Sequence, residues 1–283
     1  MFHLGTARTA LFCYIIAKAS GGKFILRIDD TDLARNTPEA EAVIHDALAW
    51  LGLTPDAIFK QSDRFDLYRN AANDLVKAGK ARIVDGGAIA LNTPATMPTS
   101  WADTIAGTIP ITDTDLKLID GLILIRSDGN PTYHFASIFD DATMDIDGIV
   151  RGNDHTNNTP KQIAILTALA EIGLNIRPIS FTHLGLIMIK DDAGKRKKMS
   201  KRDAASSLLD FRDRGVPASA MIQFMLRLGW SASDPNFDKT HKYITLDDAV
   251  GLFADGRMGN SPVLFDADKL DNLTRLHVRR AGA

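Results

Sequence analysis

Segments with helical spacing of apolar residues alternate with short strand-like runs over residues 1–80, and this alternation constrains the fold more than any other feature of the chain. Residues 6–22 carry a helical pattern that stops at two glycines, and residues 23–28, KFILRI, then have the composition of a buried strand. Two more helical patterns follow, at 37–53 behind an N-cap threonine and a proline, and at 63–80. Helices and strands that alternate in this way favour a parallel sheet covered by helices, so the sequence predicts an α/β fold.

The pattern divides the rest of the chain into three further parts. Residues 81–117 are rich in Gly, Thr, Pro and Asp with little helical period, which predicts a small inserted lobe that is β-rich or irregular. Alternation resumes over 118–202, and from residue 203 the patterns are helical. We therefore predict an α/β core in two halves, 1–80 and 118–202, that flank the insert, followed by a helical region at 203–283.

Composition limits the classes of function that remain. The formal net charge is -2 among 283 residues, so the protein as a whole does not attract nucleic acid and any polyanion must meet a local patch. Cys13 is the single cysteine, which excludes an intrachain disulfide and a cysteine-based zinc site and suits a reducing compartment. The longest apolar run near the start, ALFCYIIA, is too short to cross a bilayer, and residues 1–8 lack the basic segment of a secretion signal. We expect a cytoplasmic protein without membrane contact and without zinc.

One stretch is strongly basic: GKRKKMSKR, at 194–202, places six cations in nine residues. Such a cluster is typical of a solvated loop face or of a site that neutralises an anion. At the other end of the sequence, FHLGTARTA puts His3 and Gly5 at the mouth of a helix. Free backbone N–H groups and the helix dipole favour an anion there, and glycine permits a flat ring to approach the backbone. A His-x-Gly pair at a helix start is equally compatible with an ordinary turn.

Five motifs follow one another along the chain: the His-x-Gly helix start, LRIDDTD, PTYHFASIFDDATM, IVRGNDH and KKMSKR. In this order they resemble the catalytic domain of glutamyl-tRNA synthetases, a family of class I aminoacyl-tRNA synthetases. The resemblance continues through FRDRGVPASAMIQFMLRLGWS and SPVLFDADKLDNLTRLHVRR. It implies a Rossmann-like parallel sheet with a short insert and a C-terminal region similar to the stem-contact domain. It also implies an enzyme that uses ATP to activate glutamate as an aminoacyl-adenylate and then transfers the acyl group to tRNA.

The resemblance assigns ATP, bound with Mg²⁺, to the space between the helix start and the basic loop. Adenylation concentrates negative charge on the pyrophosphate oxygens, so positioning and charge neutralisation are the main tasks of the protein. By the same resemblance His3, Lys198 and Lys201 are the catalytic residues, Lys201 being the better candidate for direct contact with the phosphates, and Lys195 to Lys197 form a solvated rim or a tRNA contact. The residues expected to bind ATP are His3, Gly5, Thr6, Lys198, Ser200 and Lys201.

For the amino acid, the resemblance points to Asp29 near the substrate ammonium, Tyr133 beside it, and Arg151 with Asp154 and His155 along the pocket. Each has a structural alternative. The first aspartate could cap the turn after a strand, the tyrosine could be a core aromatic, and the arginine could pair with Asp154. The remaining histidines, at 45, 134, 183, 241 and 277, are interpreted as structural or exposed.

The sequence departs from the family in ways that affect the expected partners. Relatives carry a first strand and an Arg-x-Ala-Pro-Ser-Pro-Thr-Gly-type segment before the His-x-Gly turn, and with them an arginine for the glutamate side chain; this segment is absent here. Positions 6, 29 and 153 hold Thr, Asp and Asn where many relatives differ. The insert is short, and the chain ends where the anticodon-binding domain of relatives begins. We expect a monomer that binds tRNA weakly and at its acceptor end, or that uses another acceptor.

Two classes of function remain open at this point. One is a minimal adenylate-forming synthetase, which the intact HLG and KMSKR motifs favour. The other is a synthetase-derived binding or regulatory module that keeps the fold and has lost efficient turnover, which the absent first strand favours.

Overall fold

The structure is a computed structural model that describes residues 2–31, 37–191, 193–199, 207–237 and 241–281. The helices in these ranges are α1 (Leu4–Ala19), α2 (Pro38–Leu51), α3 (Phe65–Lys77), α4 (Asp113–Ile119), α5 (Tyr133–Thr143), α6 (Thr159–Glu171), α7 (Leu208–Asp213), α8 (Ala218–Arg227), α9 (Leu246–Leu252) and α10 (Ala267–Ala281). The strands are β1 (Ile25–Ile28), β2 (Ala57–Lys60), β3 (Ala81–Ile83), β4 (Ile89–Leu91), β5 (Ser100–Asp103), β6 (Gly107–Pro110), β7 (Ile123–Ile125), β8 (Gly148–Gly152), β9 (Ser180–Leu184), β10 (Ile187–Lys190), β11 (Arg196–Lys198), β12 (Trp230–Ala232), β13 (Gly256–Met258) and β14 (Val263–Leu264).

Parallel pairing links the strands on either side of a helix. β1 pairs with β2, beginning at Ile25↔Ala57, and the connection between them contains α2. β8 pairs with β9, beginning at Gly148↔Ser180, and the connection contains α6. A parallel pair needs a crossover of this kind, which the alternation of helical and strand patterns supplies. The prediction of an α/β fold with parallel strands is confirmed.

Residues 81–117 contribute to two different sheets. β3 and β4 form a hairpin that pairs with β7 in an antiparallel sheet. β5 and β6 form a second hairpin, and β5 adds to the β8–β9 sheet through parallel pairing of Asp103 with Phe181. The strand order of that sheet is β6-β5-β9-β8. The second hairpin therefore brings Asp103 against a strand that lies far from it in sequence.

Local capping fixes the ends of several helices. The Thr37 side chain accepts a hydrogen bond from the Ala40 backbone N–H at 3.2 Å at the start of α2. The same helix ends at Gly52, whose φ of 72° lies in the left-handed region that glycine adopts with little strain. Thr112 and Thr245 each form a capping box with the aspartate three residues later, which starts α4 and α9.

Two hydrophobic cores hold the helices that carry the site. The first joins α1, α2 and α8, and Phe12 and Met225 are fully buried in it. The second joins α3, α5 and α6, and Tyr68 and Phe135 are fully buried there. Each such side chain stabilises the fold by about 1.5–3 kcal/mol relative to an exposed one. The first turns of α1 and α5 are therefore held by packing further along each helix.

In the described part of the C-terminal region, α8 packs against both α10 and α1. Arg8 of α1 is buried and donates to Leu228 O at 2.9 Å and to Gly185 O at 2.8 Å. These bonds tie α1 to the end of α8 and to the turn between β9 and β10. Burial lowers the pKa of Arg8 to about 10, although the charge of Asp154 opposes this shift.

Candidate active site

The first turn of α1 has the geometry of a capped helix start. His3 is the N-cap residue, and its Nδ1 accepts a hydrogen bond from the Thr6 backbone N–H at 3.3 Å. The Thr6 hydroxyl lies 3.2 Å from His3 Nε2. A β-carbon at Gly5 would lie 3.2 Å from two atoms of the His3 ring, so glycine leaves the ring room to lie against the backbone. The helix start thus places backbone N–H donors and an imidazole ring next to a glycine that has no side chain to crowd the ring.

The described residues that follow the basic loop lie beside this helix start. Ser207 forms a β-bridge with His3, and Leu208 N donates to Phe2 O at 3.0 Å. Before the loop, the Met199 backbone N–H donates to Ile187 O of β10 at 3.0 Å, directly after β11. Ser200 and Lys201 lie outside the described residues. The chain therefore leaves the loop in contact with the first turn of α1.

Lys198, the first lysine of the KMSKR motif, forms an ion pair with Asp154 at 2.8 Å. The partner follows β8 in a 3-10 helix, Asn153–Asn158. Lys198 lowers the pKa of this aspartate against the opposing effect of partial burial. Both side chains are well exposed, so the pair stabilises the fold by at most about 1 kcal/mol and can be exchanged for another anion.

Carboxylates and an arginine meet after β1. Arg27 donates through Nε to Asp29 at 2.8 Å and through Nη1 to Asp141 at 2.6 Å. Although burial opposes it, the two carboxylates raise the pKa of Arg27. Asp30 instead accepts from the Ser62 N–H and hydroxyl, at the start of the 3-10 helix that follows β2. The Asp29 side chain pairs with Arg27 and remains 36% exposed.

Arg151, on β8, is surrounded by neutral hydrogen-bond acceptors. Its Nε donates to His183 Nε2 at 3.0 Å, Nη1 to Gln162 Oε1 at 2.7 Å, and Nη2 to Thr159 Oγ1 at 2.8 Å. Among the described residues no carboxylate is within ion-pair distance of this guanidinium, and Asp154 pairs with Lys198 instead. Burial lowers the pKa of Arg151. The site thus contains a half-buried arginine that has no ion pair among the described residues, although the charge of Asp141 acts on it from a greater distance.

Helix α5 connects the two arginines. Ser137 O accepts a 3.3 Å hydrogen bond from Arg27 Nη1, and Ser137 Oγ accepts one from Gln162, which in turn accepts from Arg151. Tyr133, at the start of the same helix, is 38% exposed rather than buried in the core. Burial raises the pKa of its hydroxyl, and the charge of nearby Arg151 opposes this shift. His155 sits in the 3-10 helix after β8, where its Nδ1 accepts from the Asn158 amide at 3.1 Å.

Several residues of this arrangement were not identified from the sequence as site residues. Arg27 and Asp141 lie inside the quoted motifs, yet nothing in strand or helix spacing distinguishes a charged residue that faces a site from one that faces solvent. His183 was interpreted as structural or exposed, and the structure places it against Arg151. The unusual feature that could have drawn attention to it is a histidine in the middle of an otherwise apolar strand, SFTHL.

The family described as "tRNA synthetases class I (E and Q), catalytic domain" matches residues 1–86 and 86–272. The chain belongs to this family. The resemblance inferred from the five motifs is therefore confirmed. Within the family, glutamate–tRNA ligases of Citrifermentans bemidjiense and Oleidesulfovibrio alaskensis are 36% and 34% identical to this chain. The alignments cover 95% and 98% of this chain and 62% and 64% of the two ligases, so the chain spans less than two thirds of their length.

Solved structures agree with this membership at the level of the fold. A glutamate tRNA ligase from Elizabethkingia meningosepticum, in complex with its amino acid, superposes with a TM-score of 0.83, and glutamate-tRNA synthetase from Elizabethkingia anophelis with 0.81. Both are 24% identical and cover 98% of this chain, and the chain covers 67% and 68% of them. The Rossmann-like fold of the class I synthetases is thereby confirmed for this member of the family.

Two further findings concern the described part of this synthetase-family chain. None of its helices has both the length and the apolar character that crossing a membrane requires. Across the same residues, no three His, Cys, Asp or Glu side chains are grouped so that they could hold a metal ion.

Proposed function

We propose that the chain uses ATP to activate glutamate as an aminoacyl-adenylate and passes the acyl group to tRNA. The observation that carries this proposal is the β-bridge between Ser207 and His3, which brings the first described residue after the basic loop to the first turn of α1. An anion bound there would meet backbone N–H groups on one side and several lysines on the other. A triphosphate is the ligand that best fits such a concentration of positive charge next to a glycine that a flat ring can approach.

In the first step, a carboxylate oxygen of glutamate attacks the α-phosphorus of ATP, and the bond to the bridging oxygen breaks to release pyrophosphate. His3, Gly5 and Thr6 are assigned to the nucleotide side of the site. Lys198, Ser200 and Lys201 are assigned to the phosphates, where the lysines balance the charge that develops on the leaving group. Mg²⁺ would accompany the ATP phosphates rather than occupy a protein cluster of its own.

In this proposal, Lys198 exchanges its ion-pair partner Asp154 for a phosphate of ATP. Its ammonium is paired with Asp154 at 2.8 Å, and both groups are exposed enough for a phosphate to compete. Asp154 then serves to keep Lys198 at the entrance of the site before ATP binds.

The amino-acid side of the proposal rests on charge. Asp29 and Tyr133 are assigned to the substrate ammonium, Arg151 to a substrate carboxylate, and Asp154 with His155 to the wall of the pocket. A carboxylate leaving water requires a paired cation, because its desolvation otherwise costs several kcal/mol. Arg151 supports this role because its own hydrogen-bond partners are neutral.

In the second step, a ribose hydroxyl of the acceptor attacks the acyl carbon and AMP leaves. We propose tRNA as the acceptor, contacted near its acceptor end. Lys195 and Arg196 are exposed on the β10–β11 hairpin at the edge of the site and are suited to phosphate contacts. Another hydroxyl acceptor would require the same chemistry at the acyl carbon.

Pyrophosphate exchange tests the proposal. The assay contains glutamate, ATP, Mg²⁺ and tRNA, and it compares the wild-type chain with Lys201→Ala. Loss of one preorganised charge-stabilising group typically lowers the rate by roughly a hundred- to a thousand-fold, so exchange should fall by that factor. Lys190→Ala is the matched control, because it removes an exposed lysine at the end of β10 to which no ligand contact is assigned, and it should leave exchange within about twofold.

Equal exchange rates in the wild type and Lys201→Ala would remove Lys201 from the mechanism. If the wild-type chain binds ATP but exchanges no pyrophosphate with any amino acid, the enzyme proposal fails and the chain is a binding module of the synthetase family. If it forms the adenylate but does not charge tRNA, the acceptor is a different molecule.

A further inference from the structure

The orientation of Arg151 depends on a buried pair of residues from β5 and β9. His183 accepts the Arg151 Nε–H at its Nε2, 3.0 Å away, and its Nδ1 lies 2.7 Å from Asp103 Oδ2. The side chains of His183 and Asp103 are 3% and 0% exposed. Water therefore does not replace either contact.

These contacts fix the tautomer of the His183 ring. The guanidinium has donors and no acceptor, so Nε2 must be unprotonated to receive the Arg151 Nε–H. The ring proton then resides on Nδ1 and is donated to Asp103. A ring with its proton on Nε2 would direct one donor at another, and Arg151 would have to turn away.

Asp103 is itself held rigidly. Its Oδ1 accepts from the Ile105 N–H at 2.9 Å and the Ala106 N–H at 2.7 Å. Its Oδ2 accepts from the His183 backbone N–H at 3.1 Å as well as from the ring. Four donors thus orient the carboxylate, and each comes from a fixed backbone or a buried ring. The hydrogen bonds form a chain from the β5 turn through His183 to the guanidinium.

We propose that Asp103 and His183 are positioning residues that hold the Arg151 guanidinium in the orientation required to receive a substrate carboxylate. This inference rests on the proposed function, in which Arg151 binds glutamate. Nε and one N–H each of Nη1 and Nη2 are used by His183, Gln162 and Thr159, so each terminal nitrogen keeps one further N–H. These two N–H groups are the donors that a substrate carboxylate can use. A rotation of Arg151 about its side chain would redirect both of them.

The competing explanation is that Asp103 and His183 merely attach the β5–β6 hairpin to β9. In that case, replacing either residue would lower the melting temperature and would affect ATP and glutamate binding equally. A positioning role predicts a selective effect on glutamate. The two explanations are therefore separated by comparing the two ligands, not by stability alone.

The decisive variant is Asp103→Asn, which keeps the shape of the side chain. The amide oxygen can replace Oδ1 toward Ile105 and Ala106, but the amide nitrogen then points donors at His183 Nδ1 and at the His183 backbone N–H. The ring must move its proton to Nε2, which opposes the Arg151 Nε–H. Small misplacements of a binding group cost up to about a hundred-fold, so the dissociation constant for glutamate should rise about 10- to 100-fold, with ATP binding changed less than about twofold.

Two variants of the histidine provide the control. His183→Gln retains an acceptor oxygen in reach of Arg151 and should bind glutamate within a few-fold of wild type. His183→Leu keeps similar bulk without an acceptor and should weaken glutamate binding as Asp103→Asn does. Binding is measured by calorimetry on the full chain, with glutamate, ATP and a non-hydrolysable glutamyl-adenylate analogue as ligands. If His183→Leu fails to fold, the comparison of Asp103→Asn with His183→Gln still decides.

The pH dependence gives a second readout. The titratable or charged groups around His183 in the described structure are Asp103 from β5, Arg151 from β8 and His155 from the 3-10 helix. Burial lowers the pKa of His183, Asp103 opposes this, and Arg151 adds to it, so the ring is neutral at pH 7. Acid that protonates Nε2 should therefore weaken glutamate binding in the wild type. In His183→Gln this acid-induced weakening should be absent, and only the pH dependence that arises from titration of the ligand should remain.

Arg151→Gln separates failure of this inference from failure of the proposed function. If that variant binds glutamate as well as the wild type does, Arg151 is not the carboxylate ligand and the proposed assignment is wrong. If Arg151→Gln loses roughly a hundred-fold in affinity while Asp103→Asn and His183→Leu keep wild-type affinity, the assignment stands and the positioning role is overturned.

Discussion

Replacing Gly5 with alanine should separate stability from nucleotide binding. The added β-carbon would lie 3.2 Å from Cε1 and Nδ1 of His3, inside the 3.4–4 Å of ordinary contact, so the ring must shift by a few tenths of an ångström. In a helix, alanine is favoured over glycine by about 0.8–1 kcal/mol. The weakened cap offsets this, at the lower end of about 0.5–2 kcal/mol because the His3–Thr6 bond is already 3.3 Å long. The free energy of unfolding should therefore change by less than about 1 kcal/mol.

ATP binding should respond differently to the same change. Displacement of a binding group by 1 Å can cost about a hundred-fold, and a smaller shift combined with a methyl group on the nucleotide side should raise the KM for ATP about ten-fold. Pyrophosphate exchange as a function of ATP concentration and thermal unfolding are measured on the same preparations. Gly251→Ala in α9 is the control, since nothing lies within 4 Å of its β-carbon and only the helix gains. An unchanged KM for ATP in Gly5→Ala would refute the argument that the nucleotide lies against this turn.

Three further outcomes are expected. Tyr68→Phe removes a buried 2.8 Å hydrogen bond to Asp140 and should lower the free energy of unfolding by about 1.5–3 kcal/mol, read from the urea midpoint; a change below 0.5 kcal/mol would contradict a charged acceptor there. Because the formal net charge is -2, binding of tRNA should rest on few phosphate contacts and depend only weakly on salt concentration, which titrations at several salt concentrations check. Because Arg151 alone cannot pair with both carboxylates of glutamate, discrimination against glutamine should be weak, and strong rejection of glutamine in adenylation assays would show that a second cation serves the substrate.

Much of the fold could be predicted because its signals are local. The helical pattern and caps around residues 37–53 predict α2, and the observed helix is Pro38–Leu51. ISFTHLGLIMI is rich in the apolar and β-branched residues that favour strands, and it forms β9 and β10. The pairing of β5 with β9 was not predictable, since the hairpin lies in a stretch without periodicity and its contact with Phe181 is set by tertiary packing.

In the candidate site, too, some residues could be predicted from the sequence and others could not. Motif residues such as His3, Tyr133 and Arg151 could be proposed from their order along the chain, and the structure gives each a defined set of neighbours. Their hydrogen-bond partners could not be proposed. Asp103 and His183 are 80 residues apart, and no sequence spacing links an acid in an irregular stretch to a histidine in a buried strand.

The two arginines near the proposed amino-acid pocket differ in how their charge is balanced. Arg27 contacts Asp141 at 2.6 Å and Asp29 at 2.8 Å, so it is satisfied before any ligand arrives. Arg151 has neutral hydrogen-bond partners. Burial of a cation without a paired anion costs several kcal/mol, and a bound substrate carboxylate would offset this cost.

Selectivity for glutamate over glutamine then depends on which of the two glutamate carboxylates Arg151 binds. If Arg151 takes the α-carboxylate, glutamine binds it equally well, because both amino acids carry that group. If it takes the side-chain carboxylate, the neutral amide of glutamine leaves the charge unbalanced and glutamine is rejected. The ratio of glutamate to glutamine activation in Arg151→Gln distinguishes these cases, since only the second case predicts that the ratio collapses when the arginine is removed.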